Sequence, residues 1–162
     1  MNISIFENTL QETEESIYYP HCVTQWLVKY RSIFGQREEK VIMMTDRVRG
    51  GSSRSDSLPS LVDKEVEPAH IMNAHLDISV CIDDAFETLR RYYLHQARSW
   101  SVPEINLMHS RRMYMSYQIY YKQSRFSSKS KTYLYEPASN TSDRVEKFPE
   151  VFQFIKERVE QT

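Results

Sequence analysis

The stretch MNAHLDISVCIDDAFETLRRYYLHQARSW, residues 72–100, sets the expectation for the fold. In its first part Met72, Ala74, Leu76, Ile78, Val80 and Ile82 are apolar, while Asn73, His75, Asp77, Ser79 and Cys81 between them are polar or small. Alternation at period two marks a strand with one face in a core, so a long central strand over 72–82 is expected. Asp83 and Asp84 end the alternation, and Asp84-Ala-Phe-Glu87 has the form of a capping box opening a helix. Ala85, Phe86, Leu89, Tyr92, Tyr93 and Ala97 then form a helical apolar stripe, with Arg90, Arg91 and Arg98 off it. A strand feeding a helix that folds back on a sheet is the organising unit.

The flanking segments extend that sheet. Residues 2–6 alternate weakly and suggest a short edge strand, followed by a Glu-rich connection over 7–15. Cys22, Trp26, Val28, Tyr30 and Phe34 stand at even positions against Gln25, Lys29 and Arg31, the pattern of a strand with one wet face. Gly35-Gln-Arg37 supplies a turn and residues 40–45 return, giving a hairpin. Residues 46–60 hold two of the three glycines and three arginines without periodicity, which predicts a mobile surface loop.

On the other side, residues 101–110 read as a connection around Pro103, and residues 111–122 alternate again. A basic tip over 123–130 and a short strand over 131–135 complete a second hairpin. Residues 136–141 read as a turn. Pro149 opens a last helix with Phe148, Val151, Phe152, Ile155 and Val159 on its apolar side. The expected fold class is α+β: one domain over 1–162, with an antiparallel sheet of five or six strands and two main helices packed on it.

A chain of 162 residues, 40% hydrophobic and 12% aromatic, can enclose a core and is not globally disordered. No window of eighteen apolar residues and no signal arrangement at the N-terminus are present, so a soluble intracellular protein is expected. Cys22 and Cys81 lie in strand-like runs and read as buried thiols rather than a disulfide framework. The glycosylation patterns at 2–4 and 140–142 carry no weight without secretion.

Net charge is −1, but the charges are segregated. Arg90, Arg91, Arg98, Arg111, Arg112, Lys122, Arg125, Lys129 and Lys131 face Glu104 alone within 90–131. Glu7, Glu12, Glu14 and Glu15 near the start, and Asp143, Glu146, Glu150, Glu157 and Glu160 near the end, balance them. Gathered on one face, the cations would make a basic surface on a nearly neutral molecule. Candidate polyanion-binding residues are Arg111, Arg112, Lys122, Arg125, Phe126 and Lys129, together with Arg47, Arg49 and Arg54 of the 46–60 loop. Cations interleaved with an aromatic suit a phosphate backbone or an anionic lipid surface. Tyr114 and Tyr120 are further candidates for stacking.

His75, Asp77 and Cys81 would share the polar face of the central strand, but no metal-ligand spacing is present, and a hydrogen-bonded pair is the expectation. A metal-free ribonuclease could draw on His21, His75, His95 or His109 with an arginine for phosphate, though nothing marks one of them out. No cofactor, catalytic group or small-molecule substrate is indicated.

Val66-Glu-Pro-Ala69, Ile82-Asp-Asp84 and Arg111-Arg112-Met113-Tyr114-Met115 resemble positions in the matrix proteins of non-segmented negative-strand RNA viruses, of the borna- and rhabdovirus type. The resemblance covers about residues 66–122. It implies a small sheet with helices, self-association, and contact with anionic membrane or the RNA nucleocapsid. The chain departs from the family in its slightly acidic net charge and in lacking a Pro-Pro-x-Tyr motif. The expectation is a non-enzymatic binding and assembly protein, its rivals being a bacterial toxin-neutralising immunity protein and a His-dependent nuclease.

Overall fold

Residues 72–82 do not form the expected strand. In the computed structural model, which describes residues 1–10, 15–97 and 99–161, helix α1 spans Ile78–Arg91 and residues 73–77 are irregular. Cys81, Ala85, Leu89 and Tyr93 are buried at a spacing of four, which is one face of a helix. Ile78 and Ile82 flank that face, and Val80 is 46% exposed. Asp77, extended at φ −69° and ψ 158°, is the N-cap residue, and its carbonyl accepts the first helical bond from the Cys81 N–H at 3.1 Å. Asp84 is therefore inside the helix rather than capping it. Its carboxylate accepts a bond from Ser52 Oγ at 2.6 Å, and its carbonyl accepts one from Thr88 Oγ1.

Among the described residues eight strands, not five or six, form an open mixed sheet: β1 Asn2–Phe6, β2 Ser16–Ser32, β3 Gly35–Asp46, β4 Ser52–Ser55, β5 Leu61–Glu65, β6 Glu104–Gln123, β7 Ser130–Glu136 and β8 Thr141–Arg144. Their hydrogen-bonding order is β4-β3-β2-β6-β1-β5, with β7 on β6 and β8 on β7. The sheet is mixed because β1 meets β6 in parallel, at Ile5 and Tyr114. The second helix, α2, spans Pro149–Glu160. The chain divides into two compact units, His21–Leu58 with Ala74–Arg112, and Met1–Pro20 with Pro59–Asn73 and Met113–Thr162.

In the first of these units β2 and β3 form a hairpin whose register runs from His21↔Asp46 to Ser32↔Gly35. The turn is Ile33-Phe34, one step before the expected Gly35-Gln-Arg37, and Gly35 takes φ +98°, which glycine adopts at little cost. Trp26, Val28, Val41 and Met43 of the hairpin close on Ala85, Leu89 and Tyr93 of the helical segment. Residues expected as a loop over 46–60 contain β4, which pairs with β3 from Ile42↔Ser55 to Thr45↔Ser52. Serine-rich β4 has no apolar alternation to announce it; its backbone bonds to β3 make it a strand. Residues 104–110, expected as a connection, belong to β6; Ile105 is half-buried while the adjacent Leu107 and Met108 are both exposed, so the segment lacks the one-sided apolar alternation that marks a strand.

In the other unit β1 pairs with β5 from Asn2↔Glu65 to Phe6↔Leu61. Ile3, Ile5, Tyr18 and Ile71 form its buried cluster, with Leu10, Val66 and Tyr114 against it. Buried Thr9 donates to the Phe6 carbonyl and accepts the Ser116 N–H, so no polar atom is stranded there. Pro149 begins α2 as expected. Val151 is buried, whereas Val159 is 68% exposed and not part of the packed side.

Candidate functional site

The β6–β7 hairpin concentrates cations because of its register. Tyr120↔Tyr133 and Lys122↔Lys131 are successive directly opposed pairs two residues apart, so both lie on one face. The two tyrosine rings stack at 5.4 Å and 13°, and the Tyr120 hydroxyl is hydrogen-bonded to Ser142. Beyond Gln123↔Ser130 the tip carries Arg125, Phe126 and Lys129, all exposed, with Phe126 at 100%. Serine side chains shape the tip: Ser124 Oγ accepts the Phe126 N–H and Ser127 Oγ accepts the Lys129 N–H. Among the described residues, none of Lys122, Arg125, Lys129 and Lys131 makes an ion pair.

Directly opposed like charges destabilise a hairpin, and Lys122 stands directly opposite Lys131. The sequence reading placed Lys122 in the site but not Lys131, because pairing across a hairpin depends on register and not on distance along the chain.

The other candidate residues separate. Successive residues of a strand point to opposite faces, so exposed Arg111 and Arg112 of β6 do not form one patch. The expectation that the cations of 90–131 gather on one face fails at this pair. It fails again at Arg90, which is held by Glu87 at 3.5 Å. Arg98, Glu12 and Glu14 lie outside the described residues. Arg47 cannot be a polyanion contact: it is 7% exposed, its Nε donates to the Leu76 carbonyl at 3.1 Å, and its own carbonyl accepts the N–H groups of His75 and Leu76. It ties down the segment entering α1. Arg49 is exposed. Arg54 lies 4.0 Å from Glu39 and 5.7 Å from the centre of the Tyr92 ring. Tyr114 packs against the Ile3, Ile5, Tyr18 and Ile71 cluster.

The trio His75, Asp77 and Cys81 is also dispersed by the helix: Asp77 is its cap, Cys81 is buried, and His75 is exposed in the segment before it. Among the described residues no group of three or more His, Cys, Asp or Glu could hold a metal ion. His21 is on β2, His95 in the turn after α1, and His109 on β6. Both thiols are fully buried and free. Burial, and next the neighbouring Cys81, push the Cys22 thiol up to about 11, so it stays protonated.

Sequence reasoning also missed a carboxylate site. Glu39 accepts hydrogen bonds from Tyr30 at 3.0 Å and from fully buried Tyr93 at 2.5 Å. Burial, then the bond to Glu39, raises the Tyr93 hydroxyl well above the usual range.

The fold and its basic hairpin define an α+β protein with an open mixed sheet and a cationic, aromatic tip. Comparison with family models, with curated proteins and with solved structures gives no match. No helix among the described residues is long and apolar enough to cross a membrane.

Proposed function

We propose that this protein acts by binding rather than catalysis, and that it docks on an anionic membrane surface through the end of the β6–β7 hairpin. The carrying observation is the set of four cations without ion-pair partners among the described residues, Lys122 and Lys131 face to face, around a fully exposed Phe126. Lipid phosphates between the two lysines would relieve their repulsion, and Phe126 would enter the headgroup region. RNA is the weaker fit, since Tyr120 and Tyr133 already stack on each other and leave no open slot between their rings for a base. Such docking supports the matrix-type assembly role that the sequence resemblance implies, with self-association beneath a membrane.

Co-sedimentation with vesicles containing phosphatidylserine tests the proposal. Binding should be absent with phosphatidylcholine alone and should weaken as salt rises. Each lysine-to-alanine change at 122 or 131 should lower affinity about fivefold, from roughly 1 kcal/mol per cation near the surface. No binding at low salt, or a shift of single-stranded RNA without vesicle binding, would refute it.

A further inference from the structure

The turn that follows α1 is wider than an α-helix. The Ala97 N–H reaches the Tyr92 carbonyl at 3.0 Å, five residues back, and the π-helical turn covers Tyr92–Gln96. Such wide turns recur at functional sites. Here it borders a half-open groove of about 470 Å³, within the range of ligand pockets. Met43 of β3 and Leu89 of α1, exposed by 1% and 2%, line it and belong to the packed core. Arg54 of β4, exposed Arg91 and exposed His95 bring charge or polarity to it, with Tyr92 beside Arg54.

The apolar lining and the two guanidiniums that border it ask for different parts of one ligand. Arg91 makes no ion pair among the described residues, and Arg54 has only Glu39 at 4.0 Å, a carboxylate already committed to two tyrosine hydroxyls. Arginine is the side chain suited to holding a carboxylate or phosphate by paired hydrogen bonds. Tyr92 is less suited to stacking a flat base, because Arg54 lies over its ring and Tyr93 meets it edge to face at 5.1 Å.

We infer that this groove binds a small amphipathic acid, with its carboxylate or phosphate head on Arg54 and Arg91 and its aliphatic body along Tyr92 and the groove floor, where Met43 and Leu89 lie just beneath the surface. The site is independent of the basic hairpin. The test is methyl NMR of the full chain, following Met43 and Leu89 during titration with decanoate, decyl phosphate and decanol below their aggregation limits. Saturable shifts at both methyl groups with either acid, and much weaker ones with decanol, are expected. A preference between the two acids identifies the head group.

Arg91→Ala should weaken acid binding about tenfold, the loss expected for one charge-assisted contact, and Arg54→Lys should weaken it less than Arg54→Ala. The methyl spectrum itself reports whether each variant is folded. Shifts that are absent with both acids, equal with decanol, or unchanged by Arg91→Ala would overturn the inference.

Discussion

Two regions of this molecule treat charge in opposite ways. Around α1, charged and polar groups are met from within the protein: Arg47 is buried against the Leu76 carbonyl, Glu39 accepts two tyrosine hydroxyls, and Asp84 takes the Ser52 hydroxyl. Among the described residues, no buried side-chain nitrogen or oxygen lacks a hydrogen bond. At the end of the β6–β7 hairpin, Lys122 and Lys131 face each other and Arg125 and Lys129 stand in solvent. The difference separates cations that hold the fold from cations left free for contact. Both kinds look alike in a count along the chain.

The largest effect should come from the apolar frame that supports the first region. Leu89→Ala removes a side chain 2% exposed between the hairpin and α1, and should cost about 2–5 kcal/mol in urea unfolding. A loss under 1 kcal/mol would mean that α1 is not packed as described.

Arg47→Met and Lys122→Met sharpen the comparison, since each replaces a cation by a similar apolar chain. Arg47→Met should lower stability by about 1–3 kcal/mol, because the part-buried Leu76 carbonyl loses its donor, and should leave vesicle binding intact once folded. Lys122→Met should stay within about 0.5 kcal/mol in stability yet weaken vesicle binding. Reversed outcomes would break the distinction.

Lys131→Glu should go further, replacing a repulsion with an attraction across the hairpin. Stability should rise by about 0.2–1 kcal/mol, while vesicle affinity falls. Thermal unfolding at low salt measures the first change and co-sedimentation the second.

The buried thiols give a pH signature to the first region. Cys22 titrates at about 11 in the folded chain, above its ordinary value of 9.0, because burial disfavours the thiolate. Its contribution to stability is therefore complete below pH 9 and is lost as pH rises through 11. Urea midpoints across that window should fall more steeply for the native chain than for Cys22→Ala; equal slopes would contradict the assigned burial.

Asp143 marks the lower end of the scale. Lys147, bonded at 2.7 Å, holds this exposed carboxylate below its usual range. Carbon-detected NMR should find its midpoint depressed, and Lys147→Ala should return it toward the ordinary value. Any stability that follows is present above the ordinary carboxylate value and is lost as pH falls through the depressed one.

Much of the frame was legible in the residues. The strand through Trp26 and Val28, its return through Val41 and Met43, and the helix opened by Pro149 all carry local patterns that the structure keeps. Residues 72–82 were misread for a definable reason. Alternating positions also contain pairs four apart, such as Ile78 and Ile82, so the same residues satisfy a strand and a helix. Burial of Cys81, which the strand reading placed on the polar face, resolves the ambiguity in favour of the helix. Arg47 was misassigned because its guanidinium is satisfied by a carbonyl 29 positions away.

The order of residues by itself determined the α+β class, the apolar stripes of two helices and the exposed basic tip. These depend on neighbours within a few positions, where side-chain period and turn chemistry act. Tertiary structure alone decided that residues 78–83 belong to the helix rather than to a strand, that β4 joins β3, that Lys131 faces Lys122 and that Arg54 and Arg91 border one groove. Each of those outcomes depends on hydrogen-bond register or burial between distant segments, which local periodicity does not encode.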